Sequence, residues 1–124
     1  MSGNRLLIDT NIVIYFLSGD HTLTSLLDGK HTYVSVITKL ELLSYPELSK
    51  SEEQKIEYFL NACTIVELSP AIQQETIQLR KKHRLKLPDS VIAASAIVFD
   101  IPLLTSDTAL QKIAELDILH YQKI

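Results

Sequence analysis

A single cysteine, Cys63, leaves this chain of 124 residues without a partner for an internal disulfide. Its setting, NACTIVEL, places it at the start of a buried strand with no histidine motif beside it, which marks a structural thiol and not a nucleophile. The four histidines, His21, His31, His83 and His120, are scattered, and none has the paired spacing of a zinc site. No apolar run reaches the ~18 residues needed to span a bilayer. The opening MSGNRLLIDTN lacks the apolar core and small-residue cleavage site of a secretory signal, so a cytoplasmic location is the expectation. Repeats, linkers and low-complexity tracts are also missing. With the length, this predicts one domain over residues 1–124.

What is present is a globular composition. Hydrophobic residues make up 46% of the chain, too many for a disordered segment, and charged residues 22%. The net charge of −3 does not by itself mark a nucleic-acid binder. Its distribution says more, because RKKHRLK at 80–86 holds five of the 12 Lys and Arg residues. Taking those five from the total leaves −8 on the rest of the chain. Cations in a last helical turn complement the dipole. Beside a carboxylate cluster, the same run also reads as an edge that contacts phosphates.

Periodicity predicts alternating strands and helices. The apolar run Arg5–Ile8 is a first strand, followed by a helix at Asn11–Leu17 capped by Asp9 or Thr10. A short helix at Thr22–Leu27 and a β-branched strand at Thr32–Val36 come next. Ile37–Leu43 reads as a helix that puts Glu41 beside an apolar stripe with Ile37 and Leu40, and Thr38 three residues before Glu41 on the same side. Ser51 to Gln54 reads as a capping box opening a helix to about Leu60. Thr64–Glu67 is a third strand. Ser69-Pro70 opens a helix that carries the basic run at its end. Pro88 begins another helix, with Asp89 in its first turn and an almost wholly apolar stretch from Val91 to Val98. Ile101–Leu104 is a fourth strand, Thr105-Ser106-Asp107 leads into a helix to about Glu115, and Ile118–Tyr121 is a fifth strand. This order predicts an α/β fold with three α/β/α layers and a mainly parallel sheet of about five strands.

Four acids fall where strands end or helices begin: Asp9, Glu41, Asp89 and Asp107. Each lies in an apolar stretch, where an unpaired charge is costly. In open α/β sheets, sites form outside the carboxyl ends of the strands near a topological switch, so all four can converge there. A convergent all-oxygen site suits Mg²⁺ or Mn²⁺. Asp9, Asp89 and Asp107 taken singly also read as helix caps, but Glu41, in mid-helix, does not. Thr10, Asn11, Thr105 and Ser106 are candidate donors to carboxylate or phosphate oxygens, or simple caps. Within the basic run, Arg84 and Lys86 stand nearest Asp89 and are the candidate phosphate contacts. Tyr15 and Tyr45 are candidate stacking residues, with rim or core packing the plainer reading.

LLIDTNIVIYFL, SVITKLELL, LPDSVIAASAI and LLTSD together resemble the PIN domain, a family of small metal-dependent nucleases, over nearly the whole chain. The length and single-domain layout are most similar to VapC-type toxins of toxin–antitoxin pairs. The resemblance implies a Mg²⁺- or Mn²⁺-dependent endoribonuclease whose acidic site is Asp9, Glu41, Asp89 and Asp107, with Asp9, Asp89 and Asp107 as metal ligands. It also implies a central parallel sheet of five strands, a homodimer and an inhibitory antitoxin partner. A haloacid-dehalogenase-like phosphatase would need an Asp where Asn11 stands. A receiver domain would need an acidic neighbour before the phosphorylated Asp and a Lys after the last core strand. The remaining alternative is a non-catalytic PIN scaffold that binds RNA or a protein.

Overall fold

Residues 4–123 are described by a computed structural model. Five strands, β1 (Arg5–Ile8), β2 (His31–Ser35), β3 (Thr64–Val66), β4 (Leu103–Thr105) and β5 (Ile118–His120), form one sheet in the order β3-β2-β1-β4-β5. All four neighbouring pairs are parallel. The chain first moves outward from β1 to β3, then returns to lay β4 on the other side of β1. That reversal puts the topological switch between β1 and β4.

Six helices cover the sheet: α1 (Thr10–Leu17), α2 (His21–Leu27), α3 (Val36–Leu43), α4 (Lys50–Asn61), α5 (Pro70–Lys82) and α6 (Leu87–Phe99). Alternation along the strands divides the core in two. Leu6, Ile8, Val34 and Leu104 face a cluster with Ile12 and Val13 of α1, Leu23 of α2, and Ile56 and Leu60 of α4. Leu7, Tyr33, Val66 and Leu103 face the opposite cluster, with Ile72 and Leu79 of α5 and Val91 through Ala94 of α6. The three α/β/α layers expected from the sequence are therefore present. Leu7 and Leu103 are fully buried, each contributing about 1.5–3 kcal/mol by leaving water.

Most element ends agree with the sequence, and the differences have local causes. Helix α4 begins two residues before the expected box: Ser49 accepts from Glu52 N at 3.1 Å while Glu52 Oε1 accepts from Ser49 N at 3.0 Å. The box built on Ser49 puts a carboxylate at the third helical position, where the dipole favours it over the amide of Gln54. Strand β4 starts later than expected, because Ile101 N donates to Ala96 O and belongs to the end of α6. That end is turned by Asp100 in the left-handed region, at φ 53°.

The helix expected after Asp107 does not form. Thr105 Oγ1 accepts from Asp107 N at 3.0 Å, and Asp107 Oδ1 accepts from Ala109 N at 2.9 Å. Such local bonds compete with helical ones. Only a 3-10 turn, Leu110–Lys112, follows.

Candidate active site

Asp9 leaves the end of β1 and caps α1, its Oδ1 accepting from Ile12 N at 3.0 Å. Its other oxygen, Oδ2, accepts a hydrogen bond from the buried Thr105 hydroxyl at the end of β4. Because the same Thr105 oxygen receives Asp107 N–H, one threonine ties the two acids across the switch between β1 and β4. Glu41 comes from the second turn of α3, and Thr10 Oγ1 donates to its Oε1 at 2.6 Å. Asp89 stands in the first turn of α6, which has no side-chain cap. The helix-cap reading therefore holds for Asp9, fails for Asp89, and reduces to a local turn for Asp107.

All four acids line one open pocket of about 190 Å³, with Thr10, Asn11, Ile14, Tyr45 and Ile92. Burial differs sharply among them. Asp9 is only 6% exposed, Asp89 and Asp107 are half-buried, and Glu41 is exposed. The sequence expectation of an apolar setting is thus correct for Asp9 and wrong for Glu41. Helix α3 buries Thr38 and Leu42 and leaves Leu40, the supposed companion of Glu41, 58% exposed.

Electrostatics follow burial and crowding. Desolvation pushes the Asp9 carboxyl above its ordinary 3.8; bonds from Thr105 and Ile12 oppose this, and the charges of Asp107 and Asp89 add to it. Burial also raises Asp89, with Asp107 adding to the rise, Lys86 opposing it and Glu41 adding again. Three neighbouring carboxylates are therefore felt at Asp9 or Asp89, so the site favours a proton or a cation. Among the described residues, no three His, Cys, Asp or Glu side chains are grouped as a finished metal cage. The donor chemistry nonetheless fits a hard divalent ion, because the pocket offers carboxylate, hydroxyl and amide oxygens and no nitrogen or sulfur ligand.

The supporting residues divide. Thr10 and Thr105 bond the acids directly, and Asn11 lines the pocket from its rim. Ser106 neither lines the pocket nor makes a side-chain hydrogen bond among the described residues. The structure splits the basic run as well. Lys82 is 3.5 Å from Glu115 and His83 is 3.4 Å from the same carboxylate, on the far side of the turn. Arg84 and Lys86 are both exposed and neither lines the pocket, but the charge of Lys86 is felt at Asp89. Tyr45, 55% exposed, stands at the rim, and Tyr15 instead packs under Lys123, 4.8 Å from its ring. Ile92 escaped the sequence reading, although it lies one turn beyond Asp89 on the same helical face. Burial pushes the Cys63 thiol up to about 11, as expected of a structural cysteine.

Comparison with known proteins gives a consistent picture. The family model of the PIN domain matches residues 6–116. A search of curated proteins gives no match. Among solved structures, a toxin–antitoxin complex from Klebsiella pneumoniae contains a chain 27% identical to this one, with a TM-score of 0.83, covering 96% of this chain and 99% of that one. VapBC2 from Rickettsia felis, bound to a DNA fragment from its promoter, is 22% identical with a TM-score of 0.83, over 95% and 99% of the two chains. FitAcB from Neisseria gonorrhoeae is 20% identical with a TM-score of 0.78, over 93% and 96%. The last two likenesses bear on the fold.

Proposed function

The chain belongs to the PIN-domain family, and from that premise we propose that it is a Mg²⁺- or Mn²⁺-dependent endoribonuclease acting as the toxin of a toxin–antitoxin pair. The observation that carries the reading is the meeting of Asp9, Glu41, Asp89 and Asp107, from four separate elements, in one pocket at the topological switch. A family member that had given up metal chemistry would have no reason to bear the cost of crowding these charges.

Asp9 and Asp89 are the ligands proposed to hold the ion, with Asp107 completing the set directly or through water. A bound divalent ion would neutralise the phosphodiester and lower the pKa of water. Glu41 would orient the attacking water, whose oxygen bonds to phosphorus as the P–O ester bond breaks and the leaving oxygen takes up a proton. Thr105 and Ile12 N hold the Asp9 carboxylate by one bond to each oxygen, and the lone pairs left over would be available to the ion. Lys86, and with it Arg84, supplies a positive edge where an RNA phosphate approaches an otherwise acidic protein. A cytoplasmic site of action fits an RNA substrate, and among the described residues no helix is long and apolar enough to cross a membrane.

An antitoxin partner is inferred from the Klebsiella relative, itself solved as a toxin–antitoxin complex. A homodimer follows from the same family reading. The test has two arms. Purified protein should cut RNA internally with Mg²⁺ or Mn²⁺ and stop when the ion is chelated. Expression alone should arrest growth, and co-expression of the antitoxin should restore it. Soluble protein that binds RNA without metal-dependent cleavage would instead establish a non-catalytic scaffold.

A further inference from the structure

Helix α3 carries one polar side chain that is wholly buried and that the proposed site does not yet use. Thr38 has no exposed surface, and its hydroxyl lies 2.9 Å from Thr10 Oγ1. Other buried helix hydroxyls in this protein turn back on their own backbone. Thr76 donates to Ile72 O at 2.7 Å, Ser90 to Lys86 O at 2.9 Å and Ser95 to Val91 O at 2.8 Å. Thr38 makes no such bond among the described residues and reaches instead across to α1.

Counting hydrogens gives the contact a direction. Thr10 has a single hydroxyl hydrogen, and its 2.6 Å bond to Glu41 Oε1 uses it. The Thr10 oxygen must then accept from Thr38. The result is a one-way chain, from Thr38 O–H to Thr10 O–H to the Glu41 carboxylate, that starts in the core and ends in the acid pocket. Glu41 needs such support. It is exposed, and holding a long side chain in one rotamer costs conformational entropy. Thr10 is β-branched and stiff at its first side-chain torsion, and a bond received from Thr38 polarises the bond it gives.

We propose that Thr38 is a positioning residue for the site: through Thr10 it orients the Glu41 carboxylate into the acid pocket. The role in catalysis rests on the nuclease reading above, whereas the hydrogen-bond chain itself does not. Two readouts keep them separate. The first is the side-chain carboxyl ¹³C resonance of Glu41 in metal-free protein. It should move in Thr38→Val, which keeps shape and removes the donor, and should return towards the wild-type position in Thr38→Ser. The second is RNA cleavage in Mg²⁺. Thr38→Val should lower kcat by about tenfold, the low end of the loss seen when a supporting partner at a metal site is removed, with KM little changed, and Thr38→Ser should restore most of it. Thr38→Val combined with Glu41→Gln should be no slower than Glu41→Gln alone. If Thr38→Val does not fold, Thr38→Ala, which also removes the donor to Thr10, carries the same test. An unmoved Glu41 resonance, a Thr38→Ser variant as poor as Thr38→Val, or losses that multiply in the double variant would overturn the positioning role. Wild-type protein that cuts no RNA while the Glu41 resonance responds as described would overturn the nuclease reading and leave the chain standing.

Discussion

Asp9 and Asp20 are built alike and behave in opposite ways. Each caps a helix, Asp9 through Ile12 N at 3.0 Å and Asp20 through Leu23 N at 3.1 Å. In each, Oδ2 accepts from a hydroxyl about a hundred residues away: Thr105 for Asp9, and Tyr121, at 2.6 Å, for Asp20. Yet the Asp9 carboxyl lies above its ordinary value and the Asp20 carboxyl below it. For Asp9, burial outweighs the two bonds, and the charges of Asp107 and Asp89 push the same way. For Asp20, the bond from Tyr121 leads, the Leu23 bond adds to it, and Lys123, 3.9 Å away, helps instead of opposing. The same residue in the same local motif is thus a fastener in one place and a stressed carboxylate in the other. Both side chains have little exposed surface, so what separates them is how deeply each is packed and whose charges stand nearby. A buried acid held among like charges is a functional candidate in a way that a capped acid beside a lysine is not.

The largest expected difference is in catalysis. Asp9→Asn or Asp89→Asn should reduce Mg²⁺-dependent RNA cleavage more than about a hundredfold, beyond what a merely supporting residue gives. Asp20→Asn should cut at close to the wild-type rate. Equal losses in Asp9→Asn and Asp20→Asn would erase the comparison. Next in size is stabilisation by the ion. At a concentration about a hundred times its dissociation constant, Mg²⁺ or Mn²⁺ should add about 2.7 kcal/mol to wild type and to Asp20→Asn, read as a rise in Tm. Asp9→Asn should show little or none of it.

Without metal, the two substitutions should move Tm in opposite directions at neutral pH. Asn can still cap through its one oxygen; Asp9→Asn gives up the acceptor of Thr105 but also removes the raised, crowded charge, and its Tm should equal or exceed that of wild type. Asp20→Asn loses the ionised acceptor of Tyr121 and the partner of Lys123, and its Tm should fall. Acidity sharpens the contrast. Because the folded pKa of Asp9 is raised, its stabilising contribution is fully present below 3.8 and is lost as pH rises through the folded value. The advantage of Asp9→Asn should therefore shrink as pH falls towards 3.8. The folded pKa of Asp20 is lowered, so its contribution is present above 3.8 and is lost as pH falls through the folded value. Thermal melts from neutral pH downward check both signs.

The smallest effect is expected at the positive edge. Replacing Arg84 and Lys86 with Gln should flatten the salt dependence of RNA binding by about 0.7 of a log–log slope unit for each phosphate no longer engaged. Metal affinity should hardly change. Lys86, whose charge is felt at Asp89, should account for more of this than Arg84. An unchanged slope would make the run a solvated helix end, as Lys82 already is through its pairing with Glu115.

Much of this is legible in the linear chain. Sequence spacing locates all five strands and all six α-helices to within about two residues, and errs in adding a helix after Asp107; the Pro70 start and the Asp9 cap follow from local chemistry alone. Errors arise where two local signals compete. Ser49 and Ser51 each head a plausible capping box, and choosing between them needs the bond that Glu52 makes. Thr105-Ser106-Asp107 has the composition of a helix start, but the Thr105 hydroxyl is already committed to Asp9, and the backbone after it turns instead.

The amino-acid order by itself determined the alternation of strands and helices, the two apolar faces of the sheet and the four acids at element ends, because these depend on side-chain type and on periods of 2 and 3.6 residues. Only the tertiary structure decided which acids are buried, that Glu41 is exposed yet held by Thr10, that Lys82 pairs with Glu115 while the charge of Lys86 is felt at Asp89, and that the Asp9 and Asp20 carboxyls shift in opposite directions. Those outcomes turn on distances between residues up to about a hundred positions apart in the chain. Desolvation and Coulomb energies depend on such distances and on the water between the groups, and neither is set until the sheet has closed β4 against β1.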